Sequence, residues 1–294
     1  MTGRIVVGVD GSQQSGSALD WAVARARFGG EQLELVNAYS PTPELDFYGY
    51  RGLAAGQPLE WFIESSEHLL EAAAAHVRAL APDVTCTLTS KMGHPAQVLA
   101  TASEAADVVV VGRRGLGRAA GALLGSVSNG LTIQAHCPVV VVGEGELPTT
   151  GPIVVGVDDS EFGTHALRYA CAEADVRKAS VRAVVAYGVP EHPRLTDPEL
   201  VARMRADVEA EAADSVTRAL DEAQGTDLGS VSVERVAVEG RAAEAILGNA
   251  ADAQLIVVGT HGKGLVRRVL LGSVSRQVLH DADRPVAVVD LPDS

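Results

Sequence analysis

Residues 5–12 read IVVGVDGS, and nearly the same letters return at residues 153–160 as IVVGVDDS. A second stretch, DVVVVGRRGLGRAAGALLGSVSNGL from Asp107, returns from Gln254 as QLIVVGTHGKGLVRRVLLGSVSRQVL. The two matches keep their order, with offsets of 148 residues (153 against 5) and 147 (254 against 107). Because this period far exceeds the roughly 20–50 residues of solenoid repeats, each copy is predicted to be a whole domain.

The boundary between the copies is expected near residues 143–151, which read GEGELPTTG. This stretch is rich in Gly, Pro and Thr and has no apolar period, as is typical of an exposed linker. The predicted domains are residues 1–146 and residues 147–294.

Each copy alternates short apolar runs with stretches of helical periodicity. In the first copy the predicted strands cover residues 5–9, 33–39, 84–90, 108–111 and 138–142, and the first, fourth and fifth of them are almost wholly apolar. In the second copy they cover residues 153–157, 181–187, 231–238, 255–258 and 286–289, with a helix predicted from Thr164. Strands that are apolar on both faces and alternate with helices indicate a parallel sheet covered on both sides. The predicted fold class is therefore α/β, with one five-stranded parallel sheet in each domain.

The composition is that of an ordinary globular protein. Apolar residues make up 47% of the chain, charged residues 21%, and the formal net charge is -14. An acidic chain repels phosphate backbones and anionic lipid, so we expect neither nucleic acid nor a membrane as partner. No apolar run approaches the roughly 20 residues of a membrane span, and the start MTGRIVVGVD lacks the apolar stretch of a signal peptide. We therefore expect a cytoplasmic protein.

The three cysteines, Cys86, Cys137 and Cys171, are odd in number, far apart and outside any CxxC pair. This pattern suggests neither a disulfide framework nor a zinc site. We interpret them as small, mostly buried apolar residues. Trp21 and Trp61 fall on apolar helix faces and are expected in the core or at an interface.

A glycine pattern follows the fourth predicted strand of both copies. Gly112 and Gly115 are followed after nine residues by Gly125 and Ser126, and the second copy repeats this spacing. Parallel sheets bind ligands at the carboxyl ends of their strands. Glycines let the backbone approach an anion, and a Gly-Ser helix start offers free N–H groups. The same residues also suit ordinary turns and helix caps, so the pattern by itself leaves both interpretations open.

Asp10 and Asp158 end the first strand of each copy. Such a carboxylate can accept hydrogen bonds from its own turn or from ribose hydroxyls, and the sequence does not decide between them. Two well-known nucleotide motifs are absent. The sequence GRRGLGRA at residue 112 has Arg118 and Ala119 where a P-loop has Lys and Ser or Thr, and no GxGxxG follows either first strand.

Taken together, VGVDGS and VGVDDS, the two glycine patterns and the endings HCPVVVV and DRPVAVV resemble the universal stress protein family. The chain is most similar to the tandem two-domain, ATP-binding form common in actinobacteria. The resemblance covers nearly the whole chain. It implies a doubly wound, five-stranded parallel sheet of order 3-2-1-4-5 in each domain, a HUP-like nucleotide-binding fold.

The resemblance also implies one adenine-nucleotide site in each domain, with ATP and Mg²⁺ as ligands. Asp10 and Asp158 would contact ribose or adenine, and Ala38 and Ala186 would meet adenine through their backbone. The glycines after the fourth strands would line the ribose and phosphates: Gly112, Gly115, Gly259 and Gly262. The residues around the next helix start would cradle the triphosphate: Gly125, Ser126, Val127, Ser128, Gly272, Ser273, Val274 and Ser275.

The two predicted sites differ inside their GxxG turns. Arg113-Arg114 in the first copy stands against Thr260-His261 in the second, which leaves open whether the sites bind equally. Four further histidines occur singly, without metal-ligand spacing, and are interpreted as surface or helix-end residues: His94, His136, His165 and His280. A basic cluster of Lys263, Arg267 and Arg268 beside the second turn is interpreted as a solvated face or as an aid to phosphate binding.

The leading hypothesis is a nucleotide-dependent regulatory protein of the stress response, without catalytic residues. The alternatives are a slow ATP hydrolase and an interaction module that never binds nucleotide. Neither the HxGH nor the SGGxDS motif of enzymes that cleave ATP between its α and β phosphates is present. The apolar final strands, residues 139–142 and 286–289, are predicted to pair the two domains or two chains, so a homodimer is expected.

Overall fold

The computed structural model describes residues 3–40, 59–115, 124–145, 147–189, 197–223, 231–262 and 271–291. Contacts between residues divide the chain into two compact units, with the change from one to the other between Leu147 and Pro148. We refer to the unit before this point as domain 1 and to the unit after it as domain 2.

Domain 1 is an α/β layer in which strands and helices alternate along the chain. Its strands are β1 (Arg4–Gly8), β2 (Gln32–Tyr39), β3 (Cys86–Met92), β4 (Val108–Gly112) and β5 (Val139–Val142). Its helices are α1 (Gln13–Gly29), α2 (Leu59–Leu80), α3 (Pro95–Ser103) and α4 (Ser126–Gln134). All strand pairs are parallel, in the order β3-β2-β1-β4-β5.

Domain 2 repeats this arrangement. Its strands are β6 (Ile153–Gly156), β7 (Val181–Tyr187), β8 (Val233–Glu239), β9 (Leu255–Gly259) and β10 (Val286–Val289). Its helices are α5 (Glu161–Arg177), α6 (Pro198–Ala223), α7 (Ala242–Gly248) and α8 (Ser273–Asp281). The parallel order β8-β7-β6-β9-β10 is again 3-2-1-4-5, so the predicted fold class and strand order are confirmed in both domains.

The central strands form the core of each domain. Residues of β1 and β4, and of β6 and β9, are buried on both faces because helices cover both sides of the sheet. In domain 1, α1 packs with α2, and α3 packs with α4. Helices α1, α2 and α3 also contact β2, and α1 and α3 contact the central strands β1 and β4. This two-sided burial explains why the strands read as continuous Val and Ile runs rather than as alternating patterns.

Helix caps place some boundaries away from the predicted ones. The α5 helix begins at Glu161, three residues before the predicted Thr164, because the Ser160 hydroxyl accepts a hydrogen bond of 3.1 Å from the Gly163 N–H. Ser12 caps α1 in the same way through Ser15 N–H, also at 3.1 Å. The third strands begin at Cys86 and Val233, two residues after the predicted starts.

The aromatic and thiol side chains follow the predictions only in part. Trp21 is in the core, but Trp61 is 44% exposed and meets Phe62 edge to face, with ring centroids 5.1 Å apart. Cys171 is fully buried, whereas Cys86 and Cys137 are half-buried, and all three are free thiols. Among the helices in the described ranges, none is long and apolar enough to cross a bilayer.

Candidate functional site

A cleft of about 290 Å³ opens at the carboxyl edge of the domain 2 sheet. Strand ends, the turn after β9 and the start of α8 line it together. All eight residues predicted for the second site lie in its lining: Asp158, Ala186, Gly259, Gly262, Gly272, Ser273, Val274 and Ser275. The apolar part of the wall comes from Val184, Ile246 and Val258. A cleft with one apolar wall and one wall of N–H and hydroxyl groups suits a flat ring joined to an anionic group.

Asp158 organises the turn that leaves β6. Its Oδ1 accepts a hydrogen bond of 3.2 Å from the Ser160 N–H and a second one from the Ser160 hydroxyl. Asp10 does the same in domain 1, where Ser12 N–H donates to Oδ1 at 2.9 Å. In both domains Oδ1 therefore accepts hydrogen bonds from its own turn, which was one of the two roles predicted for these carboxylates.

The other carboxylate oxygen faces the glycine turn after the fourth strand. A Cβ atom added at Gly262 would lie only 2.7 Å from Asp158 Oδ2, and one at Gly115 would overlap Asp10 Oδ2. A side chain at either position would therefore force the carboxylate to move, and neither glycine has a left-handed φ angle. The structure thus brings the predicted Asp and the second glycine of the GxxG turn together in each domain.

The start of α8 is held against the end of β9. Gly272 is the N-cap residue, and it has no side chain to satisfy the first N–H groups of the helix. Its own N–H donates to Thr260 O at 2.8 Å, and its carbonyl accepts from Arg276 N–H at 3.0 Å. The Ser275 hydroxyl donates to Gly259 O at 2.6 Å. A helix N-terminus fixed in this way presents backbone donors and the positive end of the helix dipole to the cleft.

Domain 1 has the same framework. The Ser128 hydroxyl donates to Gly112 O at 2.7 Å, and Gly125 N–H donates to Arg113 O at 2.8 Å. The predicted residues of the first site lie at the ends of β1, β2 and β4 and in the first turn of α4: Asp10, Ala38, Gly112, Gly115, Gly125, Ser126, Val127 and Ser128. The Ser126 Oγ is buried and has no hydrogen-bond partner among the described residues.

Sequence reasoning missed the residue that supports each GxxG turn from the first helix. In domain 1, Gln14 Oε1 accepts from Arg114 N–H at 2.6 Å, and Gln14 Nε2 donates to Glu144 Oε1 at 2.8 Å. In domain 2, Phe162 takes this position, and its ring centroid lies 5.2 Å from that of His261. The internal repeat could have identified both, since each is the second residue of its helix.

A second set of missed contacts involves the end of β10. The Thr260 hydroxyl donates to Asp290 Oδ1 at 2.9 Å, and His261 Nδ1 lies 3.1 Å from the same hydroxyl. The predicted basic cluster of Lys263, Arg267 and Arg268 lies outside the described residues. Within the described part of the chain, no group of three or more His, Cys, Asp or Glu side chains is placed to hold a metal ion.

Comparison with known proteins gives consistent matches over the chain. The model of the Universal stress protein family matches residues 1–143 and 149–290. The universal stress protein Rv1996 of Mycobacterium tuberculosis is 35% identical over 98% of this chain and 95% of its own length. The universal stress protein Rv2623 of the same organism is 33% identical over 97% and 95%.

A solved structure shows the same fold over both domains. The crystal structure of a universal stress protein from Archaeoglobus fulgidus DSM 4304 matches with a TM-score of 0.67. The match covers 99% of this chain and 97% of that chain, at 21% sequence identity.

Proposed function

The chain belongs to the universal stress protein family, and we propose that each of its domains binds one adenine nucleotide, ATP with Mg²⁺, to regulate a stress response. One observation supports this proposal most strongly. Eight residues chosen from the sequence for nucleotide binding line a single cleft in domain 2, although they come from β6, β7, β9 and the start of α8.

Phosphate groups fit the polar wall of the cleft. The first turn of α8 offers backbone N–H groups, and the glycines at 262 and 272 let a ligand approach the backbone closely. The Ser275 hydroxyl is engaged with Gly259 O, so we assign Ser275 a role in positioning the turn. The buried Ser126 Oγ of domain 1 is a polar atom that a phosphate oxygen would satisfy.

Adenine and ribose fit the other wall. Val184, Ile246 and Val258 provide an apolar surface for a flat base, and Ala186 lies next to them on β7. Asp158 Oδ2 faces the cleft beside Gly262, where it can accept from a ribose hydroxyl. Mg²⁺ keeps most of its ligands from phosphate oxygens and water, so it does not need a cluster of carboxylates.

We propose a regulatory role rather than a catalytic one. Asp158 belongs to the cleft lining and is held in its own turn by Ser160, so we assign it a ligand-binding role. A ligand that binds only the folded form stabilises it, so nucleotide occupancy can set the stability and surface of each domain. The proposal places the protein in the cytoplasm, where adenine nucleotides are abundant, as a homodimer.

The first test is to denature protein purified without added nucleotide and to identify what is released by chromatography. ATP near two per chain supports two competent sites, and ADP would instead favour slow hydrolysis. If nothing is released and saturating MgATP does not raise the Tm, the interaction-module alternative is supported and the proposal fails. Sedimentation analysis of the same sample tests the dimer, and a monomer at micromolar concentration contradicts it.

A pair of mirror variants assigns the sites to domains. Asp10→Ala with Gly125→Ala should remove one equivalent of MgATP binding, and Asp158→Ala with Gly272→Ala should remove the other. A Cβ atom at either Gly125 or Gly272 would lie 3.1 Å from the carbonyl oxygen of Arg113 or Thr260, so each substitution crowds its own turn. Unchanged stoichiometry in both variants would show that these residues do not form the sites.

A further inference from the structure

The outer strand of the domain 1 sheet, β3, has one edge that no described strand covers. Just before this strand, Thr85 O accepts a hydrogen bond of 3.0 Å from Leu33 N–H on β2. Just after it, Gly93 N–H donates to Tyr39 O at 2.9 Å. Backbone groups point to alternate sides along a strand, so the odd-numbered residues of β3 bond to β2. The even-numbered residues therefore direct their N–H and C=O groups away from the sheet, as an unpaired row.

Two large apolar side chains stand on this open edge. Leu88 is 38% exposed and Met92 is 62% exposed. Ser90 lies between them in the strand, and its hydroxyl is 2.7 Å from that of Ser66 on α2. Because alternate side chains of a strand share one face, Leu88 and Met92 also lie on the α2 face, and Lys91 lies on the other. An unpaired edge with exposed apolar side chains favours association with a further strand.

The equivalent edge of domain 2 carries charged side chains instead. In the repeat, Arg235 and Glu239 of β8 stand at the positions of Leu88 and Met92. Glu239 forms an ion pair of 3.0 Å with Arg205 of α6, and Arg235 Nη1 donates to a threonine hydroxyl of the same helix at 3.2 Å. Charged side chains on an edge strand protect it against pairing with another chain. Domain 1 lacks this protection at the two equivalent positions.

An acidic stripe on α2 borders the open edge. Four exposed carboxylates at helical spacing form it: Glu60, Glu64, Glu67 and Glu71. The opposite side of α2 faces α1, where His76 Nε2 lies 2.6 Å from Asp20 Oδ1. The stripe is therefore turned away from α1 and toward β3, whose Cys86 lies near Glu71. Glu71 is 4.0 Å from Arg78, whereas the other three carboxylates have no ion-pair partner among the described residues.

We propose that this edge binds an extended basic segment of a partner protein, which adds to the domain 1 sheet as a further strand beside β3. The unpaired N–H and C=O groups supply the main-chain hydrogen bonds of such a strand. Lysine or arginine side chains at every second position cover Leu88 and Met92 with their aliphatic stems and reach the acidic stripe with their charges. A second copy of the chain, with its net charge of -14, fits less well, because two paired β3 strands would bring two acidic stripes together.

The test uses the full chain without added nucleotide and a fluorescently labelled peptide, TKVKVKVKT, as the probe. Fluorescence anisotropy should show saturable binding of one peptide per chain. Two further peptides carry N-methyl groups on their backbone, one at its lysines and the other at its valines. The peptide whose methyl groups face β3 should bind about tenfold more weakly, because its backbone can no longer pair there. The other peptide should keep the affinity of the probe, because its methyl groups point to solvent.

A variant of the edge, Leu88→Lys with Met92→Lys, should also bind the probe about tenfold more weakly, because apolar contact is lost and the added charges repel the peptide. Leu200→Lys is the control, since this leucine of α6 is 40% exposed and lies outside the edge. An unchanged Tm shows that the edge variant is folded. Equal affinity of the edge variant and the control, or of all three peptides, overturns the proposal, as does a lack of binding at about 1 mM probe. Self-association that the edge variant abolishes, without peptide binding, assigns the edge to a second copy instead.

Discussion

The hydroxyl of Ser275 and the carbonyl of Gly259 form a hydrogen bond of 2.6 Å that joins the first turn of α8 to the last residue of β9. Ser128 and Gly112 form the same bond in domain 1 at 2.7 Å. In both domains the serine side chain is buried and turned toward the strand, so it fixes the distance between the helix N-terminus and the sheet edge. The backbone N–H donors of the first helical turn are thereby held at a fixed position relative to the strand end.

Replacing Ser275 by Ala should weaken MgATP binding in domain 2 and lower the free energy of unfolding by about 1 kcal/mol, the net contribution of one buried hydrogen bond. Calorimetric titration and urea unfolding measure the two effects. Ser215→Ala is a matched control, because that buried hydroxyl donates at 2.7 Å to Ala212 O within α6. The control should lose similar stability and no affinity. Equal affinity of Ser275→Ala and the unmodified protein would contradict a positioning role.

Gly262→Ala should lower the affinity of the second site by about tenfold, equivalent to about 1.4 kcal/mol. The added methyl group would lie 2.7 Å from Asp158 Oδ2, so the carboxylate must move away from its position beside the turn. Gly248→Ala at the end of α7 is the control, because nothing lies within 4 Å of the Cβ it would add. If both variants bind MgATP as tightly as the unmodified protein, the close approach of Gly262 to Asp158 does not matter for the ligand.

The fold was largely predictable because two-sided burial leaves a strong pattern. β4 and β9 each bury four apolar residues in succession, and such runs are difficult to explain outside a covered parallel sheet. The strand order came from the family resemblance, since apolar runs do not say which strand lies beside which. The exposed edge strands β3 and β8 were placed less accurately, because their partly polar sequences mark no clear start.

The sequence predicted those parts of the site that lie within one short segment, but not the contacts between distant segments. Glycine spacing and strand ends located the cleft, but the contact between Thr260 and Asp290 joins residues 30 positions apart. That contact exists because β10 lies beside β9, which is a property of the sheet and not of either segment. Gln14 and Phe162 were missed because each reads as an ordinary residue of a first helical turn, and only their equivalent positions in the internal repeat connect them.

The three cysteines should differ in reactivity with iodoacetamide at pH 8. Burial raises the pKa of Cys171 to about 11 and that of Cys137 to about 12, with Asp107 adding to the latter. Since only the thiolate reacts, about one in a thousand Cys171 thiols is reactive at that pH. Cys86, whose pKa burial raises less far, should be modified first. Peptide mass spectrometry measures the order in which the three cysteines are modified. Equal rates in the folded protein would contradict the prediction, whereas equal rates in denaturant are expected.

A buried ion pair in α5 distinguishes domain 2 from domain 1. Glu173 Oε1 accepts from Arg177 Nε at 2.6 Å, with the two side chains 3% and 2% exposed. Arg177 Nη1 also donates to Gln254 Oε1 at 3.2 Å, and Gln254 Nε2 donates to Gly151 O at 2.7 Å. The pair thus links α5 to the segments that precede β9 and β6. The corresponding positions of domain 1 hold Arg25 and Gly29, which cannot form it.

Glu173→Ala should lower the free energy of unfolding of domain 2 by about 3–5 kcal/mol, because it leaves a buried guanidinium without its nearest carboxylate. The double variant Glu173→Leu, Arg177→Met should cost much less, since apolar side chains of similar volume remove both charges together. Urea unfolding of the unmodified chain, of the single variants Glu173→Leu and Arg177→Met, and of the double variant gives the coupling energy between the two residues. If the double variant loses as much free energy of unfolding as the two single variants together, the two charges do not depend on each other. The pair would then contribute through packing alone.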